Sequence, residues 1–213
     1  FPGGVTAEGI AAIFGPAGRD WLRMVEDQSL VERLFPDFPD EFVLFYLPTP
    51  FRTFAARQLA QGELPARAAL GEAALRFYAA LEDEPHTGWV RRLYNIWAQS
   101  GAAMGVMVAR IAAELPSIEA WYTWGCLQNA SRAIAVRSAR IPADLYSYYN
   151  LMGRATSLRR HFDLALAAAQ RWQDRRGEAN VQKALGDLAL REAELGEARR
   201  RYEAALAIYP VIG

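Results

Sequence analysis

The chain has 213 residues, of which 52% are hydrophobic and 23% are charged, and its formal net charge at pH 7 is zero. This composition is typical of a soluble globular chain with enough apolar side chains for a packed core. It argues against a disordered chain and against a strongly basic nucleic-acid-binding chain. The longest apolar run, 101–111, is interrupted by Arg110, so we expect no membrane span and a cytoplasmic location.

Two short helices are predicted at the start of the chain. Thr6 is placed to cap the first, over 7–14, because its hydroxyl can accept from a free backbone N–H of the first turn. Apolar residues at helical spacing predict the second helix over 20–26. Neither helix is long enough to fold without neighbours.

Two predicted strands, 29–34 and 41–46, follow and are joined by a proline-rich loop. An amphipathic helix is then predicted over 50–61, with Thr49 as its cap and a proline in its first turn. Two short helices and a β-ribbon predict a winged-helix domain over residues 1–61 with a two-stranded wing.

Helical periodicity without any strand signal continues over 62–140. One predicted helix ends at Leu81, and another ends before Pro116 because proline disrupts a helix interior. Ser117 is then placed to cap a separate, aromatic-rich helix. We interpret this segment as an irregular stack of helical hairpins.

Residues 177–210 carry two helical patterns on either side of Gly196. Small residues stand where two such helices would approach closely, and an aromatic residue fills the wider gap beside them. This spacing resembles that of a tetratricopeptide repeat. The predicted packing positions are Leu185, Gly186, Ala198, Tyr202, Ala205 and Pro210.

A shift of 33 positions predicts a second, degenerate unit over 142–176, in which Gly153 and Ala165 take the places of Gly186 and Ala198. Units of this kind bury their faces on neighbours and leave a concave surface for a partner. The predicted fold class is therefore mainly α: a small winged helix followed by an α-α superhelical, tetratricopeptide-like stack over 141–213.

The first helix of each unit is expected to line the concave surface. Its polar side chains predict a hydrogen-bonding groove with excess positive charge, suited to an extended peptide, an acidic chain end or an acidic surface elsewhere in a larger parent protein. In this hypothesis Lys183 and Arg191 anchor a carboxylate, while Asn150 and Asn180 hold the backbone beside it. The predicted partner-binding residues are Ser147, Asn150, Arg154, Asn180, Lys183, Asp187 and Arg191.

Three segments in order, 1–4 (Phe-Pro-Gly-Gly), 25–31 and 50–55, carry a resemblance to a larger family. They resemble the region after the nucleotide-binding module of STAND-class (NB-ARC-like) bacterial ATPases, which act as signalling and transcription regulators. The resemblance implies a fragment in which the winged helix contacts an upstream ATPase module and the repeat arm senses a ligand. ATP or ADP and Mg would bind only in the upstream part.

Two departures from the family pattern bear on nucleotide binding. Family members often carry a Met-His-Asp or similar triplet at the end of the second wing strand, and the matching positions 47–49 are Leu-Pro-Thr. The phosphate-binding loop GxxxxGK[ST] does not occur in this sequence. We therefore expect no cofactor in this fragment and a non-catalytic, regulatory role in protein interaction.

The remaining candidate groups have simple interpretations. His86 and His161 have no carboxylate or cysteine at a catalytic interval in the sequence, so we interpret both as surface or turn residues. Cys126, the single cysteine, is predicted to be buried as a small apolar residue. Helix residues 19–27 carry two arginines against three acids, so nucleic-acid binding is not expected. The alternatives are a free-standing tetratricopeptide adaptor that carries a winged helix and a DNA-binding winged-helix regulator.

Overall fold

The computed structural model describes six ranges of the chain, and it is mainly helical with one small antiparallel sheet of two strands. The expectation of a mainly α chain is confirmed. In these ranges, no helix is both long enough and apolar enough to cross a bilayer. The described residues are 3–35, 43–61, 64–79, 88–99, 104–127 and 131–212.

The first helix, α1 (Ala7–Phe14), has the predicted bounds, and Thr6 caps it as expected. The Thr6 hydroxyl accepts a hydrogen bond from the backbone N–H of Gly9 at 3.0 Å. The second helix, α2 (Ala17–Asp27), begins earlier than predicted. The reason is Gly15, whose φ of 74° turns the chain sharply enough for a new helix to start at once.

Two strands, β1 (Glu32–Leu34) and β2 (Leu44–Tyr46), pair in antiparallel register and are both shorter than predicted. Ser29, assigned to the first strand by sequence, instead has a φ of 54° and helps to end α2. Val5 adds an isolated bridge to Phe45, with two backbone hydrogen bonds of 3.1 and 2.9 Å. The N-terminal segment therefore lies along the edge of the hairpin.

Three helices follow the sheet: α3 (Thr49–Gln61), α4 (Leu64–Tyr78) and α5 (Trp89–Gln99). Thr49, the predicted cap, is instead the first residue of α3. α4 ends at Tyr78, short of the predicted Leu81, which lies outside the described residues, as does His86. The carbonyl of Ala79 accepts from Arg137 at 2.7 Å, and this tertiary contact accompanies the end of the helix.

The next helix, α6 (Met104–Leu127), continues through Pro116, so the predicted break there is wrong. Ser117 does not cap a separate helix. Its hydroxyl accepts from the N–H of Gly3 at 2.8 Å and donates to the carbonyl of Gly4 at 3.0 Å. Because the N-terminal segment docks beside the proline, tertiary packing offsets the hydrogen bond that proline cannot make.

A fully buried polar cluster joins α5 to α6. Arg110 and Glu114, both 0% exposed, form an ion pair of 2.7 Å. The indole N–H of Trp89 donates to both oxygens of the Glu114 carboxylate, at 3.1 and 2.9 Å. Burial, followed by the negative charge of Glu114, raises the pKa of Tyr78 well above its usual value. The carboxylate is thus the centre of this cluster.

Three short helices then lead to the last part of the chain: α7 (Arg132–Ser138), α8 (Ile141–Asp144) and α9 (Tyr146–Leu151). Pro142 stands in the first turn of α8, as predicted. One continuous cluster of buried apolar residues runs from Leu75 on α4 to Leu188 in the last part of the chain. The predicted segments 62–140 and 141–213 therefore share a core.

Three long helices joined by tight turns complete the described part of the chain. They are α10 (Ala155–Arg171), α11 (Arg175–Arg191) and α12 (Leu195–Ile212). α11 packs against both α10 and α12. A Cβ atom built on Gly186 of α11 would lie 2.8 Å from Cε1 of Tyr202 on α12. The predicted close approach between a small residue and an aromatic ring is therefore present.

The turns before α10, α11 and α12 have the same hydrogen bonds, and they recur every 20 residues. Gly153, Gln173 and Ala193 occupy the same left-handed position, with φ of 64°, 54° and 59°. In each turn the next residue donates its N–H to the carbonyl five residues earlier, at 2.9 Å. This is a Schellman motif, which satisfies the free carbonyls at a helix end.

The 33-residue shift predicted from sequence is therefore wrong as a description of the backbone. It placed Gly153 inside a helix as the counterpart of Gly186, whereas Gly153 lies in the turn between α9 and α10. The backbone repeats with a helix and a turn every 20 residues, because each helix has 17 or 18 residues and each turn has three. Two helices, α11 and α12, are present where two helical patterns were predicted over 177–210.

Candidate functional site

A groove lies between α5, α8, α9, α10 and α11 and has a volume of about 560 Å³. It is an open cleft with charged, amide and aromatic side chains on its walls. The residues that line it are Arg91, Asn95, Ala143, Asp144, Tyr146, Ser147, Phe162, Asn180, Lys183, Ala184 and Asp187.

One wall of the groove is formed by an ion pair on α11. The ammonium group of Lys183 lies 2.9 Å from Oδ2 of Asp187, one helical turn away. The second carboxylate oxygen accepts a hydrogen bond from the hydroxyl of Tyr202 at 2.8 Å. The hydrogen bond to Asp187 raises the pKa of Lys183, which therefore remains charged.

The opposite wall is formed by a second ion pair, which sequence analysis missed. Arg91 on α5 donates to Oδ1 of Asp144 on α8 at 2.8 Å, although the two residues are 53 positions apart. Burial raises the pKa of the Asp144 carboxyl, and the positive charge of Arg91 opposes that rise. No local pattern could have indicated this pair.

A further cation lies at the rim. The guanidinium group of Arg191 stacks over the ring of Tyr146 at 5.7 Å, a cation–π contact that orients it beside the groove. The Arg191 residue is exposed, and none of the ion pairs found among the described residues involves it. Its N–H groups can therefore bind an incoming anion without first breaking an ion pair.

The structure brings part of the predicted site together. Asn180 presents its amide to the groove, and its carbonyl oxygen accepts from the hydroxyl of Tyr209 at 3.0 Å. This contact leaves the amide N–H₂ group to donate to a ligand. The predicted residues that line the groove are Ser147, Asn180, Lys183 and Asp187, and Arg191 adjoins them through Tyr146.

Two predicted residues do not line the groove. The amide nitrogen of Asn150 is buried and has no hydrogen-bond partner among the described residues. Arg154 is exposed, and its charge acts on Glu119 and Tyr148 rather than in the groove. The 33-residue shift assumed one continuous helix across these positions, whereas α9 ends at Leu151 and Arg154 lies in the turn after it.

A second polar cluster joins α6, α9 and α10, and it corrects the interpretation of His161. His161 is only 6% exposed, and its Nε2 lies 3.2 Å from a carboxylate oxygen of Glu119. Its Nδ1 shares a hydrogen bond with the hydroxyl of Tyr122, and the hydroxyl of Tyr149 donates to Glu119. His161 is therefore a buried linking residue and not a surface residue.

The acid–base properties of this cluster suit a structural link. Burial alone would raise the pKa of Glu119, but the hydrogen bonds from His161 and Tyr149 outweigh it and lower that pKa. Burial raises the pKa of Tyr122, and burial together with Glu119 raises that of Tyr149. Glu119 is therefore ionised at neutral pH while both phenols keep their protons.

The single cysteine is a packing residue, and no metal-binding cluster is found among the described residues. The thiol of Cys126 is buried as predicted, and burial raises its pKa to about 12. Across the described ranges, no three His, Cys, Asp or Glu side chains cluster closely enough to hold a metal ion.

The structure agrees with five of the six predicted packing positions and differs at Pro210. Pro210 is exposed and lies inside α12, so it does not end that helix as a tetratricopeptide proline would. The others are buried or partly buried between helices, with Gly186 against the ring of Tyr202. These residues are Leu185, Gly186, Ala198, Tyr202 and Ala205.

Comparison with known proteins adds no further constraint, since no protein family, curated protein or solved structure matches this chain.

Proposed function

We propose that this chain is a non-catalytic protein-interaction segment, and that the groove between α5 and α11 binds an extended peptide. The observation that carries the proposal is the composition of the groove walls. Two ion pairs, Arg91 with Asp144 and Lys183 with Asp187, face a cleft of about 560 Å³ that also contains amide groups. A peptide backbone needs alternating donors and acceptors, and these walls supply both.

The anchor for an acidic group is Arg191. Lys183 already contacts Asp187, so part of its charge is neutralised, whereas Arg191 stacks on the Tyr146 ring and is in none of the ion pairs found among the described residues. A planar guanidinium can donate two parallel hydrogen bonds to one carboxylate. Because Asn150 does not line the groove and its amide nitrogen is buried, Asn95 and Asn180 take the role of holding the peptide backbone.

We further propose that the segment belongs to a STAND-type ATP-dependent regulator, with 1–61 as a winged helix and the later helices as a tetratricopeptide-like sensor arm. The order of two short helices, a β-hairpin and a long helical stack supports this assignment. An ATPase module would contact the N-terminal helices, where Trp21 and Met24 are 52% and 57% exposed. A phosphate-binding loop encoded immediately upstream would favour the switch over a free-standing adaptor.

Matched peptides test the groove. Fluorescein-labelled octapeptides whose last residue has an uncharged side chain are prepared with a free carboxylate and with a carboxamide at the C-terminus, and binding is measured by fluorescence anisotropy. We expect the free acids to bind more tightly and Arg191→Ala to remove that difference. The loss of one charged hydrogen-bonded contact corresponds to about 1.5–3 kcal/mol of binding free energy.

Arg200→Ala is the control, since Arg200 is an exposed arginine of α12 that pairs with Glu197 on its own helix. It should leave peptide binding unchanged. If acids and amides bind equally, or if Arg200→Ala weakens binding as much as Arg191→Ala, the groove is not a carboxylate-binding site.

A further inference from the structure

Two large apolar side chains are exposed on one face of α12. Leu195 and Leu206 are 67% and 65% exposed, although both are large and apolar. Arg199 lies between them on the same side of the helix, and its side chain is 81% exposed. Positions 195, 199 and 206 share one face because they are four and seven residues apart, close to one and two helical turns.

The equivalent face of α10 is less exposed than this face of α12. The positions 40 residues earlier, two of the 20-residue steps, are Ala155, Arg159 and Leu166. Ala155 and Leu166 are partly buried, and the Arg159 side chain is only 28% exposed. The α12 face is therefore the uncovered counterpart of a covered α10 face.

Part of the cover on α10 comes from the turn between α11 and α12. Arg159 donates to Glu192 and, at 2.9 Å, to Glu194, and both acids belong to the turn that joins these two helices. The hydrogen bond to Glu192, followed by its charge and that of Glu194, offsets burial and raises the pKa of Arg159. An arginine facing two carboxylates thus marks where one hairpin docks on the helix before it.

We propose that the α12 face formed by Leu195, Arg199 and Leu206 is a docking surface for a further helical hairpin whose joining turn carries two carboxylates. The carboxylates would meet Arg199 as Glu192 and Glu194 meet Arg159. At present Arg199 lies 2.7 Å from Glu203, but both side chains are exposed, so this pair contributes little and is easily shared. None of these three residues lines the peptide groove, so the inference does not depend on the proposed function.

The test extends the full chain after Gly213 with a copy of residues 174–213, which continues the 20-residue spacing. The copied Glu192 and Glu194 then stand in the same relation to Arg199 as the originals do to Arg159. Thermal unfolding of the original and extended chains is followed by circular dichroism. We expect a single transition whose midpoint rises by about 4 °C or more on extension.

Charge variants assign that rise to the proposed contact. Arg199→Ala should lower the midpoint of the extended chain more than that of the original chain, and changing both copied glutamates to glutamine should have the same effect. Arg200→Ala, the matched control on another face of α12, should shift both chains equally.

Three results would overturn the proposal. The appended copy unfolds in a separate transition, or Arg199→Ala lowers both midpoints by the same amount. Alternatively, the original chain sediments as a dimer that Leu206→Lys dissociates, which would make a second copy of the chain the occupant of this face.

Discussion

The helices before and after Gly153 are held together in different ways. α5, α6 and α9 are joined by polar contacts between residues far apart in sequence, which are fully buried around Glu114 and partly buried around Glu119. The later helices α10, α11 and α12 are joined by two turns with the same hydrogen bonds as the turn before α10, and their ion pairs are largely exposed. Removing one partner of a buried polar contact leaves the other partner buried and unsatisfied, so the loss of folding stability is large. Removing one partner of an exposed ion pair costs little stability.

The largest effect is expected from Glu114→Ala. This change leaves the guanidinium of Arg110, which is 0% exposed, without its carboxylate and removes the acceptor of the Trp89 N–H. Breaking a buried ion pair in this way costs about 3–5 kcal/mol of the free energy of unfolding. Urea denaturation followed by tryptophan fluorescence measures the loss.

The double change Arg110→Met and Glu114→Leu is its control, because it removes both charges and retains volume. We expect it to recover most of the stability. A loss of less than about 1 kcal/mol for Glu114→Ala would show that the two regions do not differ in the way described.

A smaller loss is expected from Gly186→Ala in the repeat region. The added Cβ would lie 2.8 Å from the Tyr202 ring, so α11 and α12 must separate or the ring must move. Overpacking of this kind costs about 1–3 kcal/mol. Equilibrium unfolding in urea gives the difference from the original chain.

Gly196→Ala is the matched control on α12, because no atom lies within 4 Å of the Cβ built there. It should stabilise the chain slightly, since alanine favours a helix more than glycine does. Equal effects at the two positions would mean that Gly186 is not a packing position.

Acid should weaken the link between the two regions through Glu119. Its pKa lies below the usual 4.5 in the folded chain, although burial alone would raise it, because His161 and Tyr149 bond to the charged form. A group with a depressed pKa contributes stability above its unfolded pKa, and that contribution is lost as pH falls through the folded value. The stability difference between the original chain and Glu119→Gln should therefore be constant from about pH 7 to 5 and shrink below.

Urea midpoints of both chains across this range measure that difference. Glu119→Gln retains the shape of the side chain and cannot ionise, so it serves as the reference. A difference that persists unchanged to about pH 3 would exclude Glu119 as the titrating group.

The smallest effect is expected in the repeated turns. Ala193 has a φ of 59°, a conformation that costs an L-residue about 1 kcal/mol and glycine almost nothing. Ala193→Gly should therefore raise the free energy of unfolding by up to about 1 kcal/mol. Gly153→Ala, at the equivalent turn, should lower it by a similar amount, and thermal unfolding compares the two. Changes in the same direction would contradict the equivalence of the turns.

Short-range features were predictable because one local interaction decides each of them. The bounds of α1 follow from the Thr6 cap and from the sharp turn at Gly15. The approach of Gly186 to Tyr202 follows from the absence of a side chain at one position and a large ring at the other. The groove was predictable in part, since Asn180, Lys183 and Asp187 share one face of a single continuous helix.

The sequence by itself determined the helical character, the small hairpin and the packing of the last two helices, because these depend on neighbours within one or two turns. Only the tertiary structure decided the rest. Ser117 is bonded to Gly3, 114 positions away, and His161 to Glu119, 42 positions away, and no periodicity records such pairs. Those contacts keep α6 helical through Pro116 and bury a histidine, because a proline or a polar group is tolerated there only when distant residues satisfy it.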